Sequence, residues 1–383
     1  MIKILTIIGA RPQIIKAAAI SRAIKNKYSP TIREVIVHTG QHYDENMSKV
    51  FFEELRIPQP DYNLNVGSGS HGKQTAIMLS GIEDILLKEQ PACMVVYGDT
   101  NSTLAGAVAA SKLHIPVVHI EAGLRSFNKS MPEEVNRIMC DHVSTLLFSP
   151  TTTGLNNLIA EGFKTDNNPP YTMDNPRIYH CGDVMYDNSM FFASMAVSGT
   201  SIIKDLSLTK NQFILATIHR NNNTDEPERL NALFNSFDKI SRTDTVSVVL
   251  PLHPRTAKLL ENNLYPELYN SIKSNPRIKI VPPVSFLEMI TLEMNAQMVM
   301  TDSGGVQKEA FFFEKPCIIL RPETEWVELV KNGTAIVTDA NEALIEKAYH
   351  HFKTTKNSLT YPRLYGDGQA AEFICEEIVK IFS

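Results

Sequence analysis

Cysteine is scarce in this 383-residue sequence, and its cysteines are not spaced as pairs. An odd number of scattered cysteines without a CxxC motif is not typical of a disulfide framework or a structural zinc site, and it favours a reducing compartment. His38 and His42 have HxxxH spacing, but Gly40 between them places both on a strand end and a turn. We therefore predict no metal site. The cysteines are Cys93, Cys140, Cys181, Cys317 and Cys375.

Long apolar runs and a strong charge imbalance are also missing. No apolar segment approaches the roughly 20 residues of a membrane span, and Gly9 and Arg11 interrupt the apolar N-terminus. The formal net charge of −5 gives no electrostatic basis for binding nucleic acid or an anionic membrane. We expect a cytoplasmic protein that binds its ligands through local groups, with neither nucleic acid nor membrane as a partner.

Glycine-rich cofactor motifs are absent as well. The segment after the first apolar run, GARPQIIK, has a single glycine instead of the GxGxxG of dinucleotide-binding proteins. No Walker A or GxSxG motif occurs elsewhere. We predict that the protein works without a cofactor.

The sequence alternates short β-branched runs with stretches of helical period. Unbroken apolar strands between amphipathic helices are typical of a parallel sheet with helices on both faces. In the first half we predict strands at Lys3–Ile8, Glu34–His38, Met94–Tyr97, Val117–Ile120 and Thr145–Phe148, with helices that include Gln13–Lys25, Glu45–Glu54 and Thr75–Leu87.

This pattern stops and then restarts. Residues 164–178 are polar and rich in Pro and Asn, which indicates a loop near a domain boundary. In the second half we predict strands at Phe213–Thr217, Val246–Leu250, Ile278–Val281, Met298–Thr301 and Cys317–Leu320, and helices at Glu226–Lys239, Leu287–Asn295, Val306–Phe313 and Asn341–Phe352.

The restart predicts an α/β protein with two domains. We expect two doubly wound, Rossmann-like domains, residues 1–185 and 186–366, which face each other across a substrate cleft. The last helix, in residues 367–383, is expected to pack back on the N-terminal domain.

Three acidic residues follow predicted strands or open the next helix. Asp99 follows Met94–Tyr97, Glu121 ends a buried strand, and Glu133 lies in a Pro-Glu-Glu helix start. A carboxylate at a buried strand end is costly without a partner or a function, and crowded carboxylates raise one another's pKa values. The three acids could therefore supply a proton donor and acceptor. Two simpler roles stay open: a helix cap for Asp99 and a helix-dipole acid for Glu133.

Basic residues near the strand ends indicate an anion site. Arg11 and Lys16 begin the helix after the first strand, where unpaired backbone N–H groups already favour anions. Arg137 lies beside the acidic segment, and the predicted strand Phe213–Thr217 is followed by His219 and Arg220.

A second helix start is suited to a nucleotide. Ser303, Gly304 and Gly305 let the backbone approach a pyrophosphate at a helix N-terminus. Glu309 follows about one turn later, where it can accept hydrogen bonds from ribose hydroxyls.

Taken together, these motifs carry a family resemblance. The chain resembles the non-hydrolysing UDP-N-acetylglucosamine 2-epimerases over nearly its whole length. The resemblance implies the two-domain fold of glycosyltransferases of the B type, a UDP-sugar as binding partner, a homodimer, and inversion of C2 by elimination and re-addition of UDP. The motifs are, in order, GARPQIIK, GDTNST, HIEAGLRS, MPEEVNR, TIHR, PLHPR and TDSGGVQKEA.

The resemblance also implies roles for individual residues. Asp99, Glu121 and Glu133 look like acid/base carboxylates, and His219 looks like the histidine near the departing phosphate. Contacts with the substrate are implied for Arg11, Lys16, Arg137, Arg220, Ser303, Gly304, Gly305, Glu309 and Arg321. Lys73, Lys129 and Arg321 are candidates for contacting a carboxylate at C6 of the sugar.

Some segments depart from the family pattern. Asn222 replaces a charged residue, and Met289 stands where the family has an aromatic residue stacked on uracil. GQHYDENMSKVFFEEL and GSGSHGKQT differ from the enzymes that bind a second, allosteric substrate molecule. These segments resemble a subgroup that acts on UDP-2,3-diacetamido-2,3-dideoxyglucuronate.

Other functions stay open at this point. A UDP-sugar-dependent glycosyltransferase of the same fold would need an acceptor but not three clustered acids. A hydrolysing epimerase would release UDP and free sugar, and a non-catalytic UDP-sugar binding protein would need none of the acids.

Overall fold

The computed structural model of the chain describes residues 1–40 and 57–383. The predicted helix Glu45–Glu54 and the residues His42 and Asp44 lie outside these ranges. The chain divides into two compact units. Unit 1 contains Met1–Asn188 and Arg363–Ser383, and unit 2 contains Ser189–Pro362.

Unit 1 is built on a parallel sheet of seven strands in the described ranges, in the order β3-β2-β1-β4-β5-β6-β7. Its inner strands are apolar because helices cover both faces; every residue of β4, for example, is buried. The strands are β1 (Ile2–Ile8), β2 (Ile32–His38), β3 (Tyr62–Asn63), β4 (Cys93–Tyr97), β5 (Val117–Ile120), β6 (Leu146–Ser149) and β7 (Arg177–His180).

Helices connect the strands of unit 1 as right-handed crossovers require. The first helix continues into a π-helical turn at Ile24–Tyr28. The α-helices are Arg11–Ala23, His71–Glu89, Asn101–Lys112, Pro132–His142, Thr152–Ala160 and Val184–Gly199, of which the last continues into unit 2.

The C-terminal helix, Ala370–Phe382, belongs to unit 1 and contacts the first helix. Its Phe373 ring packs edge-on against Phe148 of β6 and Tyr179 of β7, with ring centroids 6.3 and 5.7 Å away. This aromatic contact and the buried residues Ile374 and Ile378 join the end of the chain to the sheet.

Unit 2 repeats the plan with a parallel sheet of six strands, in the order β10-β9-β8-β11-β12-β13. Its core includes an apolar cluster that contains Phe234, Phe237 and Phe352. The strands are β8 (Phe213–Thr217), β9 (Ser247–Pro251), β10 (Ile278–Val281), β11 (Met298–Thr301), β12 (Cys317–Ile319) and β13 (Ala335–Val337).

The helices of unit 2 follow its strands in turn. They are Ile202–Asp205 before β8, Asn221–Asp225 and Pro227–Thr243 after β8, Pro254–Asn263 and Pro266–Ser274 after β9, Phe286–Asn295 after β10, Gly304–Phe312 after β11, Val327–Lys331 after β12, and Glu342–Thr355 after β13, which continues into a 3-10 turn at Lys356–Ser358.

The two parallel sheets confirm the predicted α/β class with two doubly wound sheets. Each predicted strand is present within two residues of its predicted bounds. The short strands β3 and β13 were not predicted, and the prediction of a loop through residue 178 is wrong at its end, because β7 begins at Arg177. Across the described ranges, the structure contains no helix that combines the length and the apolarity needed for a membrane span.

Candidate functional site

Each sheet has one point where the strand order reverses, between β1 and β4 in unit 1 and between β8 and β11 in unit 2. Connections leave such a point in opposite directions, so a crevice opens beyond the carboxyl ends of the two strands, where α/β proteins bind ligands. The predicted site residues Arg11, Asp99 and His219 follow three of these four strands within a few positions. Ser303 follows the fourth.

Two glycines allow the chain to pass closely beside the reversal point of unit 1. A Cβ on Gly9 would lie 2.2 Å from the hydroxyls of Thr39 and Ser102. Gly98 has a φ of +62°, and its Cβ would lie 3.0 Å from both Glu121 Oε2 and Lys16 Nζ. The backbone before Asp99 therefore lies directly against another predicted site residue.

Two carboxylates at this point are each paired with a cation. Lys16 Nζ donates to Glu121 Oε2, and Arg137 donates to Asp99 Oδ2. The Glu121 side chain is 8% exposed, whereas that of Asp99 is 33% exposed. The structure thus brings together four of the predicted residues, and Lys16 and Arg137 are close to carboxylates rather than isolated anion ligands.

The environment of Asp99 favours its protonated form. Loss of hydration raises the pKa of Asp99; the cations of Arg137 and Lys16 oppose this rise, and the charges of Glu121 and Glu133 add to it. The helix-cap alternative for Asp99 is wrong, because the following residue, Thr100, caps the next helix through Thr103 N–H. Asp99 is therefore available for another role.

Glu133 and Glu134 differ in burial although they are neighbours in one helix turn. Glu133 is exposed, whereas Glu134 is 1% exposed and accepts backbone N–H groups of Ser126 and Phe127, both at 2.9 Å. Glu134 also holds Arg137, at 2.9 Å from Nη2. Sequence analysis assigned no role to Glu134, whose contacts fix both the preceding loop and the arginine that reaches Asp99.

In unit 2, His219 is held by a carboxylate that the sequence analysis did not assign. His219 Nδ1 lies 2.8 Å from Asp302 Oδ1, with the imidazole 59% exposed and the carboxylate fully buried. Asp302 also accepts the backbone N–H groups of His219 and Arg220 and the amide of Asn223. Burial alone raises the pKa of Asp302, but these hydrogen bonds outweigh it and lower the pKa below its usual value. The contact holds the Nδ1 side of the His219 ring against Asp302.

The second helix start has the predicted cap and one further neighbour. Ser303 Oγ accepts Val306 N–H, as a helix N-cap does. A Cβ on Gly304 would lie 2.2 Å from Glu325 Oε1, so this carboxylate lies against the helix start. Glu325 also accepts a 2.6 Å hydrogen bond from Arg321. Arg321 is thus connected to the helix start at Ser303–Gly305 through Glu325.

Glu309 lies further into unit 2 than the sequence suggests. It is 7% exposed and neighbours Glu293, which is fully buried. Burial and the neighbouring Glu309 charge raise the pKa of Glu293 well above its usual value, so the two carboxyls retain a proton between them.

Other predicted residues are exposed or half-buried. Arg11, Lys73 and Lys129 are exposed, and Met289 is half-buried. Within residues 1–40 and 57–383, no group of three or more His, Cys, Asp or Glu side chains is arranged to hold a metal ion.

Comparison with known proteins identifies the class to which this fold and these residues belong. The family model described as UDP-N-acetylglucosamine 2-epimerase matches residues 24–379. The chain belongs to the UDP-N-acetylglucosamine 2-epimerase family.

Individual relatives are similar along their full lengths. A UDP-2,3-diacetamido-2,3-dideoxy-D-glucuronate 2-epimerase of Pseudomonas aeruginosa is 48% identical over 381 residues, which cover 99% of this chain and 100% of that protein. A crystal structure of the Methanocaldococcus jannaschii UDP-GlcNAc 2-epimerase in complex with UDP-GlcNAc and UDP matches with a TM-score of 0.85 and 41% identity, over 99% of this chain and 100% of that one.

A distant structure shares the fold alone. A UDP-glucosyltransferase from Polygonum tinctorium matches 100% of this chain and 98% of its own, with a TM-score of 0.64 and 11% identity. This similarity agrees with the predicted fold of glycosyltransferases of the B type.

Proposed function

We propose that this protein inverts C2 of a UDP-linked 2-acetamido sugar without hydrolysing it. The observation that carries the proposal is the pair of carboxylates, Asp99 and Glu121, at the strand-order reversal of unit 1, each with its own cation. The family supports the same activity, because the relatives from Pseudomonas aeruginosa and Methanocaldococcus jannaschii are named as 2-epimerases of UDP-sugars.

Elimination and re-addition account for the inversion without a change in oxidation level. A carboxylate removes the C2 proton, a C1–C2 double bond forms, and the C1–oxygen bond breaks so that UDP leaves with its electron pair. A second acid then protonates C2 on the opposite face, and a β-phosphate oxygen of UDP bonds again to C1. The reaction needs a base, an acid and stabilisation of the diphosphate.

In this proposal, residues of unit 1 transfer the protons. Asp99, Glu121 and Glu133 are the proposed proton carriers. The raised pKa of Asp99 favours a proton on this carboxyl, which suits it to act as the acid, and the Lys16 cation favours ionised Glu121 as the base. Arg11 and Arg137 are proposed contacts with the substrate.

In this proposal, residues of unit 2 bind the nucleotide. We assign the leaving diphosphate to His219, Arg220 and the helix start at Ser303–Gly305, because N–H groups at a helix start and cations stabilise phosphate charge. Glu309 is the proposed ribose ligand, and Arg321 is a further substrate contact.

Among UDP-sugars, the 2,3-diacetamido-2,3-dideoxyglucuronate is the proposed substrate. The relative named for that sugar is 48% identical to this chain. Two relatives named as UDP-N-acetylglucosamine 2-epimerases are 41 and 42% identical, and one named as a homologue of that enzyme is 47% identical. Lys73, Lys129 and Arg321 stay candidates for recognising its C6 carboxylate.

Proton NMR in D₂O tests the activity and the substrate together. Purified protein is incubated in parallel with UDP-N-acetylglucosamine and with the diacetamido uronate, and deuterium uptake at C2 is followed with the appearance of the epimer. We expect faster turnover of the uronate. Asp99→Asn and Glu121→Gln should each lower the exchange rate by about 10²-fold or more, whereas Asp84→Asn, an exposed position in the helix after β3, should not change it.

The same spectra separate the competing functions. Free sugar would indicate a hydrolase. Tight UDP binding with no exchange at C2 would indicate a binding protein, and turnover only with an added acceptor would indicate a glycosyltransferase. Near-wild-type exchange in Asp99→Asn, Glu121→Gln and Glu133→Gln would refute the assignment of the carboxylates.

We also propose that two copies of the chain associate through unit 1. Three neighbouring helices, those after β3, β4 and β5, carry apolar side chains on their outer faces. Ile77, Val135 and Met139 are 53, 40 and 45% exposed, and Leu104 and Val108 of the middle helix are half-buried between them. Exposed apolar side chains on neighbouring helices are typical of an interface, and the family resemblance favours a second copy as its occupant.

Light scattering during gel filtration tests the homodimer. We expect twice the 42.8 kDa chain mass for the wild type and the chain mass for Ile77→Asp combined with Met139→Asp. Leu344→Asp, at a 46% exposed apolar position of unit 2, is the matched control and should stay dimeric. A monomeric wild type would contradict the proposal.

A cytoplasmic location completes the proposal. All five cysteines are unpaired, and burial raises the pKa of Cys93 and Cys317, which keeps their thiols protonated. Free thiols are typical of proteins that work in a reducing compartment.

A further inference from the structure

A buried ionic network lies beneath the two carboxylates of unit 1. We name it the His119 network, and its members are His119, Asp141, Arg125 and Glu161. His119 and Asp141 have no exposed side-chain surface, and the Arg125 side chain is 1% exposed. The functional residues described above do not include any of the four.

Both ring nitrogens of His119 meet hydrogen-bond acceptors. Nδ1 lies 2.7 Å from Asp141 Oδ1, and Nε2 lies 2.8 Å from the backbone oxygen of Gly98. A carbonyl oxygen can only accept, so Nε2 must carry a hydrogen. Asp141 Oδ2 accepts from Arg125 at 2.8 Å, which stabilises the ionised carboxylate, and an ionised carboxylate can only accept a hydrogen from Nδ1. The geometry therefore requires the doubly protonated imidazolium.

The charges around the imidazolium are balanced. His119 and Arg125 carry two positive charges, and Asp141 and Glu161 carry two negative charges, with Arg125 donating to Glu161 through Nε and Nη2 at 2.7 Å each. Burial by itself lowers the pKa of His119, but neighbouring Cys140 and Asp141 outweigh it and raise the pKa well above its usual value. Asp141 in turn has a lowered pKa despite its burial, because His119 and Arg125 stabilise its charge.

The hydrogen bonds of the network end on the two turns that carry the carboxylates. His119 holds the carbonyl of Gly98, the residue before Asp99. Asp141 accepts the backbone N–H of Gly123 at 3.1 Å, two residues after Glu121. All three turn residues have left-handed backbones, with φ of +62° at Gly98, +75° at Glu121 and +81° at Gly123. For a residue with a side chain, such as Glu121, this conformation costs about 1–3 kcal/mol and persists only where the surroundings enforce it.

We propose that His119 is a positioning residue that stays an imidazolium. It holds the Asp99 turn directly and the Glu121 turn through Asp141, and so it fixes the positions of the two carboxylates relative to each other. The proposal rests on the proposed epimerase function for its kinetic consequences, but the charge state of His119 does not depend on that function. A buried ion pair adds little net stability compared with apolar packing, so positioning gives a reason for placing two charged residues here.

Nitrogen-15 NMR of the wild type tests the charge state. Protein labelled at histidine is examined from pH 6 to 9 without ligand, and the His119 signals are assigned by their loss in His119→Gln. We expect both Nδ1–H and Nε2–H to persist at pH 9. A neutral ring with one unprotonated nitrogen anywhere in this range would overturn the proposal.

Kinetics of His119→Gln and Asp141→Asn test positioning. We expect kcat for C2 exchange to fall by about 10²-fold in each, while KM changes less than about threefold, because misplacement of reacting groups by a fraction of an ångström mainly affects the chemical step. His142→Gln is the matched control: His142 lies next to Asp141 and contacts Glu161 at 3.4 Å, but it is 48% exposed and does not reach either turn. It should retain wild-type kcat.

The outcomes distinguish this proposal from the function on which it rests. No exchange in the wild type would refute the epimerase, and the NMR result on His119 would still stand or fall by itself. Wild-type kcat in folded His119→Gln or Asp141→Asn would refute positioning. If His119→Gln does not fold, Asp141→Asn, which can still hydrogen-bond to Nδ1, and the wild-type NMR decide.

Discussion

At the scale of single residues, close contacts at the strand-order reversal restrict which side chains can be accommodated. Gly98 combines a left-handed backbone with two functional groups within 3.0 Å of where a Cβ would lie. Only glycine avoids both the conformational cost and the contact. A side chain at this position would therefore disturb both the backbone conformation and the Glu121–Lys16 pair.

Substitution of this glycine should affect activity more than stability. In Gly98→Ala the added methyl group pushes against Glu121 Oε2 and Lys16 Nζ, and we expect kcat to fall by about 10²-fold. The left-handed alanine should cost about 1–2 kcal/mol of unfolding free energy. Gly162→Ala has a φ of +97° with no atom within 4 Å of the added Cβ, so it should show the stability loss without the kinetic loss. Equal kcat values for the two variants would show that the contact does not matter.

The His219–Asp302 pair makes a second prediction at this scale. Asp302→Asn retains the shape of the side chain but removes the charge that orients His219 Nδ1–H and accepts two backbone N–H groups. We expect kcat to fall by about 10²-fold or more, as when a buried carboxylate that orients a functional histidine is neutralised.

The control for Asp302→Asn is Asp225→Asn, which alters a 41% exposed carboxylate of the same unit that pairs with Arg255. Rates from the C2 exchange assay are compared, and UDP affinity is measured by calorimetry. A normal kcat with weakened UDP binding would show that the pair contributes to ground-state binding of UDP rather than to stabilisation of the departing phosphate.

At the scale of secondary-structure elements, the start of the C-terminal helix is joined to unit 1 by a buried carboxyl. Asp187 Oδ2 accepts the N–H of Ala371 at 2.8 Å, while Oδ1 is buried and has no hydrogen-bond partner among the residues that the structure describes. Burial raises the pKa of Asp187 to about 6. A proton on this carboxyl is therefore favoured in the folded state.

The stability of the protein should consequently depend on pH through Asp187. A folded-state pKa of about 6 against roughly 3.9 in an unfolded chain means that the folded state binds more protons between these values. The contribution is fully present below about pH 4 and is lost as pH rises through 6, with a loss of up to about 3 kcal/mol.

Urea unfolding followed by circular dichroism from pH 4 to 7 checks this dependence. Asp187→Asn cannot ionise, so it should flatten the decline that the wild type shows between pH 4 and 6 and should unfold at higher urea than the wild type at pH 7. Asp84→Asn, at an exposed position, should leave the decline unchanged. If the decline of stability between pH 4 and 6 persists in Asp187→Asn, other carboxyls are its cause.

At the scale of the whole molecule, the proposed reaction is redox-neutral, and the protein's own groups supply its charges. We therefore expect that turnover survives dialysis against EDTA and needs no added nicotinamide cofactor. Activity that depends on restoring a divalent ion, or nicotinamide released from denatured active protein, would contradict this expectation. Metal analysis and chromatography of the denatured extract provide the measurements.

Local pattern predicted the main elements because apolar period and turn residues are properties of neighbouring positions. β5, β8, β10 and β11 have the predicted bounds. β5, β8 and β11 are fully buried runs of mostly apolar residues, whereas β10 lies at the edge of its sheet and is partly exposed. The two-residue strand β3 and the three-residue β13 carry too little periodic signal to be predicted, and their existence depends on the strands beside them.

The candidate site was predictable only in part. Asp99, Glu121 and His219 were found because polar residues after parallel strands meet at one edge of a sheet. The partner of His219 was not found, because Asp302 is 83 residues away from it in the sequence. The contact between His119 and Asp141, which are 22 residues apart, was not found for the same reason. Residues so far apart in the sequence form no local pattern that predicts their contact.

The order of the residues alone determined the α/β class, the approximate strands and helices, and the resemblance to UDP-sugar 2-epimerases. The tertiary structure decided which acid pairs with which base, that Thr100 rather than Asp99 caps its helix, and that Glu134 and His119 are buried in support of the carboxylates. The physical reason is that hydrophobic period and turn preference act between neighbours, whereas the charge state and orientation of a side chain depend on groups that only folding brings together.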